Sequence, residues 1–301
     1  MAATPPAAVD GQPRSGTGWT PVHLAALLAA NVALALGPWL VRLADTGPVA
    51  AGFWRLALAF PVLVMLSLRE PAAQRRLAGG MVWLVAGAGL AFGLDLASWH
   101  VGIVGTKLGN ASLFGNAGSV ILMAWGLVTA RRAPRLLELV AIAAALGGAA
   151  LLMGGSLEIS RSSFIGDLFC LLAGVFYAIY ILMLRPARLK LGQFTLLGAS
   201  MLVSAPVMLA VALLLGETIW PQDWTPLIAL AISSQLIGQG FLIYSLRHFP
   251  PLVIGLALLT QPAISSTIGW LAFGETLTAL DVLGMVLLAS ALVMARSGDK
   301  A

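Results

Sequence analysis

The chain has 301 residues, 59% of them apolar and only 10% charged, with 17 basic and 12 acidic side chains for a net charge of +5. An ordinary soluble domain carries roughly 25% charged residues, so a water-soluble enzyme and a nucleic-acid binder are both excluded. One cysteine, Cys170, permits no internal disulfide and no cysteine metal cluster.

The first stretch, residues 1–20, is rich in Pro, Ala and Gly and reads as a disordered cytoplasmic tail. Its basic content is too low for a cleaved signal peptide. A helix needs about 20 apolar residues to cross a bilayer, and ten runs qualify or nearly so. The first five are Leu24 to Val41, Pro48 to Leu68, Leu77 to Val104, Leu108 to Ala130 and Leu139 to Gly154. The second five are Phe164 to Leu184, Leu191 to Gly216, Trp224 to Leu246, Pro251 to Gly274 and Val282 to Ala295. The last run is short, so its helix is expected to begin before Asp281. The fold class is therefore all-α, a polytopic membrane protein of ten transmembrane helices.

Lysine and arginine placement sets orientation. With the amino terminus in the cytoplasm, Arg42, Lys107 and Arg161 alone fall in outer loops, and Arg55 sits inside a span. The remaining basic residues, Arg69, Arg75, Arg76, Arg185, Arg188 and Arg247 among them, collect on the cytoplasmic side. Both termini are expected inside a cell membrane, with a bacterial inner membrane the natural setting.

The halves match at an offset of 143 to 145 positions. Arg42 falls on Arg185, Pro61 on Pro206, Gly93 on Gly238 and Trp99 on Tyr244. Residues 21–155 and 164–296 each hold five spans, and an odd number inverts the second copy. Inverted repeats place a substrate site near the midplane, at the repeat interface, and permit alternating access.

At depth, Arg55 and Asp95 stand out. Ionisable groups there face a partner or a wet cavity. They could receive a substrate's carboxylate and amine, or lock two helices as a permanent pair. Asp95 and His100 are candidates for proton coupling, since an unperturbed imidazole titrates near pH 6.5. Asn31, Asn110, Ser112, Asn116, Ser200, Gln235, Gln239, Thr260 and Gln261 are costly to turn toward lipid. They either bond between helices or line a polar centre, for which Asn116, Gln239 and Gln261 are the main candidates. Trp99 and Tyr244 could stack a substrate side chain or pack helices together. Trp220 and Trp224 read as interfacial. Pro38, Pro61, Pro206 and Pro262 can kink their helices. Gly89 and Gly93, like Gly105 and Gly109, are spaced for close helix approach, within the chain or between copies.

Phe53-Trp54-Arg55 opening the second helix, Gln261-Pro262 and Gly274-Glu275 in and after the ninth, and Asp281 and Gly284 in the tenth resemble the drug/metabolite transporter superfamily, in its ten-helix EamA-like branch. In the first half Ala130 and Arg131 stand where Gly and Glu would be expected. The resemblance spans Leu24 to Ala295 and implies a secondary carrier, commonly an exporter of amino acids or other metabolites, with the aromatic amino acid exporters as neighbours. A P-loop, a zinc-binding pattern and any cofactor signature are missing from the sequence, so no cofactor or metal is expected. The partners expected are a small-molecule substrate and lipid. Two rivals remain: a membrane-embedded enzyme using Asp95 and His100 as acid and base, and a passive channel.

Overall fold

The computed structural model describes residues 20–106, 114–130, 133–154, 164–264, 267 and 278–298, without the side chains of 152–154 and 295–298. The tail, Asn110, Ser112, Lys107, Gly109, Arg131, Arg161, Gly274 and Glu275 lie outside the described residues.

Among the described residues the regular structure is entirely helical. Six helices are long and apolar enough to cross a membrane: α1 (Pro21–Leu43), α2 (Pro48–Ser67), α3 (Gly80–Gly105), α6 (Phe164–Arg188), α7 (Gln193–Leu214) and α8 (Thr225–Ser245). Four shorter apolar helices complete the set: α4 (Ala117–Thr129), α5 (Leu136–Leu151), α9 (Pro251–Ile264) and α10 (Ala279–Met294). The tenth begins before Asp281, as its short apolar run required. Large apolar side chains such as Met65, Trp83 and Leu214 point outward. That is an outer surface for lipid, since water would not sustain it over ten helices.

Proline acts differently at different sites. Pro38 follows a break at Leu36 that divides α1 into Pro21–Ala35 and Gly37–Leu43, and α9 is interrupted by a turn just before Gln261 and Pro262. Pro61 and Pro206 sit within continuous helix.

The helix neighbours follow a pattern. α2 packs on α7, α4 on α9 and α5 on α10; α3 packs on α6 as α1 does on α8; α3 packs on α7 as α2 does on α8. Each pairing is kept when every helix is exchanged for the one five places along.

The α2 and α7 amino ends show how that arrangement is tied. Helix starts leave four backbone N–H groups unpaired. α2 starts after Gly47 and α7 after Gly192, neither with a capping side chain of its own. At α2 the Glu217 carboxylate, from the loop after α7, accepts from the N–H of Val49 (3.3 Å) and Ala50 (2.8 Å). Beside it the Thr218 carbonyl accepts from Gly47 N–H at 3.0 Å. At α7 the Glu70 carboxylate, from the loop after α2, accepts from the N–H of Phe194 (2.8 Å) and Thr195 (3.0 Å) and from Thr195 Oγ1 (2.7 Å). There the Gln74 carbonyl accepts from Gly192 N–H at 3.0 Å. A Cβ on either glycine would collide with the facing glutamate. A carboxylate at a helix amino end is worth about 0.3–1 kcal/mol, and more when partly buried.

A polar cluster between α2, α3, α6 and α8

Arg55 stands seven residues after Pro48, about 10 Å along α2 from its start. It is 7% exposed. Its guanidinium reaches α8, where Nε donates to Gln235 Oε1 at 3.0 Å and Nη2 donates to the Ser234 carbonyl at 3.4 Å. Asp95 of α3 is 8% exposed and close enough to feel the Arg55 charge. The two make no direct ion pair. Arg55 is instead held by neutral groups, and the Asp95 carboxylate accepts no hydrogen bond among the described residues. The permanent lock weighed from the sequence is therefore not formed in this conformation.

Around them lie Tyr177 of α6 and Gln239 of α8. Gln239 Nε2 donates to the Tyr177 hydroxyl at 3.4 Å, and the Tyr177 ring lies within electrostatic reach of both Arg55 and Asp95. Two buried amide atoms of this cluster have no partner: Gln235 Nε2, a donor, and Gln239 Oε1, an acceptor. Leaving such an atom unpaired in a dry interior costs about 1–3 kcal/mol. A structural role alone would select against that cost twice in one turn.

The backbone is unusual at the same place. Ala231–Gln239, the middle of α8, is wound as a π-helix. π-helical winding is rare and concentrates at functional sites. It packs against the break in α1: Ser234 Oγ donates to the Ala33 carbonyl at 3.4 Å, and Gly238 fits against Leu34.

His100 is buried on α3, and its Nδ1 donates to the Leu96 carbonyl at 2.6 Å. A carbonyl can only accept, so the proton sits on Nδ1 and Nε2 is left as an acceptor. That edge lies against Gly52, one turn before Arg55.

The other candidates disperse. Gln261 Nε2 donates to Asn31 Oδ1 at 3.3 Å, and Asn31 donates to Leu27, which ties α9 to α1. Asn116 stands at the start of α4 without a side-chain cap bond, its carbonyl accepting from Ser119 N–H at 3.0 Å. Trp99 covers the neighbouring Gly115, whose Cβ would come 2.6 Å from the ring. Tyr244 lies at the far end of α8, against His23 and His248, whose rings stack at 3.9 Å. Trp54 joins Trp220 and Trp224 in an aromatic group at the opposite end. Arg55, Asp95 and Gln239 are thus brought together; Trp99 and Tyr244 go to opposite ends. Tyr177 and Gln235 complete the cluster. Gln235 was visible as a polar group within a span, without a spacing that tied it to Arg55.

The cluster gathers opposite charges and unpartnered amide atoms at depth. It offers a guanidinium, a carboxylate not paired with it, and a free donor and acceptor nearby. No group of His, Cys, Asp and Glu able to hold a metal occurs among the described residues.

Comparison with known proteins points the same way. Residues 164–297 match the EamA-like transporter family. The threonine/homoserine exporter RhtA of Escherichia coli is 29% identical over 129 residues, 42% of this chain and 44% of that protein, so the match spans less than half the relative's length. RhtA of Salmonella typhimurium is 24% identical over 282 residues, 92% of this chain and 91% of that protein. A solved crystal structure matches with a TM-score of 0.76 at 14% identity, over 93% of this chain and 98% of the other, a likeness of fold alone. The resemblance read from the sequence is borne out where a family model matches: residues 164–297 are similar to the EamA-like transporter family, and the chain is a multi-pass membrane protein.

Proposed function

We propose that this protein is a secondary carrier that exports a small zwitterionic metabolite, an amino acid, by alternating access between two inverted five-helix repeats. The observation that carries the reading is the buried cluster of Arg55, Asp95, Tyr177, Gln235 and Gln239, whose two charges are not ion-paired. Arg55 receives the substrate carboxylate and Asp95 its ammonium group. The free amide donor of Gln235 and acceptor of Gln239 suit a side-chain hydroxyl, in keeping with relatives named for threonine and homoserine. The exchange of helix neighbours by five places supports the repeats.

Both termini lie in the cytoplasm of an inner membrane, on the basic-rich side. Asp95 is the coupling group: it carries a proton in one direction and the substrate ammonium in the other. His100 is placed to influence Arg55 across Gly52. As an acid–base pair for an enzyme, Asp95 and His100 are poorly set. Five residues apart on a helix, they point about 140° apart.

The test is counterflow in proteoliposomes loaded with unlabelled amino acid and given labelled threonine, homoserine or phenylalanine outside, with and without a pH gradient. Transient accumulation of label establishes a carrier. A channel gives equilibration without overshoot. No accumulation with any amino acid, in folded protein, removes this substrate class.

A further inference from the structure

We propose that Glu217 and Glu70 are standing clasps which hold α2 and α7 as one rigid body throughout the transport cycle, so that Arg55 rides on a fixed axle while other helices move. This rests on the carrier reading above for its functional consequence; the clasps themselves are read from geometry.

Three observations carry it. First, the two clasps sit at opposite ends of the helix pair, because α2 and α7 run antiparallel. Each joins one helix start to the loop that follows the other helix. Second, both are closed in the same conformation. A carrier caught facing one side, with clasps that opened in turn, would show one end parted. Third, each clasp is reinforced. At the Glu217 end, Asp45 Oδ2 accepts from the N–H of Gln222 (2.7 Å) and Asp223 (3.1 Å), and Trp54 Nε1 donates to the Ile219 carbonyl at 2.7 Å. At the Glu70 end, Thr195 adds its hydroxyl.

Backbone hydrogen exchange of the full chain in lipid nanodiscs, without substrate, tests the clasps whether or not a substrate is known. Residues 49–50 and 194–195 should exchange as slowly as the middles of their helices, at both ends at once. Glu217→Gln should speed exchange at 49–50 at least tenfold and leave 194–195 unchanged, and Glu70→Gln should do the converse. Fast exchange at either end of the unmodified protein overturns the proposal. A cross-link gives the readout that a merely structural cap would not move. Thr46→Cys with Thr218→Cys, and separately Gln74→Cys with Gln193→Cys, would be bridged by a short bifunctional thiol reagent in a Cys170→Ser background. Bridged carrier should keep counterflow within about twofold of the unbridged variant. A tenfold loss on bridging, with the unbridged variant active, means that the helices must part, and overturns it. Absent counterflow in the unmodified protein would count against the carrier reading and leave the exchange result to decide the clasps.

Discussion

The α3–α7 seam and the α2–α8 seam occupy equivalent places in the two halves, yet their chemistry is opposite. Counting from the clasped glycines, Arg55 follows Gly47 at the same distance as Ser200 follows Gly192. On the α3–α7 seam Gly89 and Gly93 lie directly on Ser200, Val203, Ser204 and Val207, and a Cβ on Gly89 would strike the Ser200 carbonyl. Ser204 Oγ lies 2.8 Å from the Gly89 carbonyl and 2.9 Å from that of Ser200, so its hydroxyl is fully used. On the α2–α8 seam the same register holds a guanidinium, a π-helical turn and two unpartnered amide atoms. One seam is close-packed and its serine hydroxyls donate to backbone carbonyls; the other is charged and holds two unpartnered amide atoms. The equivalent helix pairings are kept in both halves while the side chains along them differ.

Making the second seam resemble the first is the strongest way to break that contrast. Arg55→Ser should lower the counterflow rate about 100-fold, equivalent to about 2.7 kcal/mol, because the substrate carboxylate loses its partner. The variant should still fold, since Ser already occupies the matching position at 200, and a melting curve beside the flux assay checks this.

The reverse change acts on stability. Gly89→Val should cost about 1–3 kcal/mol, the usual penalty for overpacking a filled interface, measured as a lower unfolding midpoint. Any loss of flux should follow the loss of folded protein.

The amides sharpen the comparison. Gln235→Leu and Gln239→Leu should each reduce flux about tenfold, or about 1.4 kcal/mol. Gln235→Leu should also lower the unfolding midpoint, because it takes the acceptor from the buried Arg55 Nε; Gln239→Leu gives up one 3.4 Å bond to the Tyr177 hydroxyl together with an unpartnered oxygen, so its midpoint should change little. If the amides only join helices, stability falls and flux does not.

Part of this contrast was legible in the sequence and part was not. The ten helices followed from apolar run lengths, because a bilayer demands them. Arg55, Asp95 and Gln239 could be singled out because charge and amides are costly in lipid. Trp99 and Tyr244 were grouped with them on composition. An aromatic residue serves equally at a helix end, and three-dimensional contact alone separates the uses. Glu70 and Glu217 left almost no trace. An acceptor of backbone N–H groups has no partner residue type to mark it, and the available hint was two helices starting at glycines without Ser, Thr, Asp or Asn to cap them. The π-helical turn gave none, since Ser-Ser-Gln is compatible with ordinary helix.

The smallest expected effect lies away from both seams. His248 stacks on His23, and partial burial, then the nearby charges of His23, Arg188 and Arg247, lower its pKa below the usual 6.5. A depressed imidazole favours the folded contact in its neutral form. The contact should therefore be fully held above pH 6.5 and weaken as acid protonates the unfolded or parted state first. Exchange at the start of α1 should rise modestly between pH 7 and pH 5, and His248→Gln should flatten that dependence.

The most direct test of the central claim is threonine counterflow by the unmodified protein and by Gln239→Leu, each with its unfolding midpoint measured in the same lipid. The account predicts accumulation by the first, about tenfold less by the second, and a midpoint little changed. Equal accumulation by both proteins, or a flux loss matched by a fall in the midpoint, would contradict it.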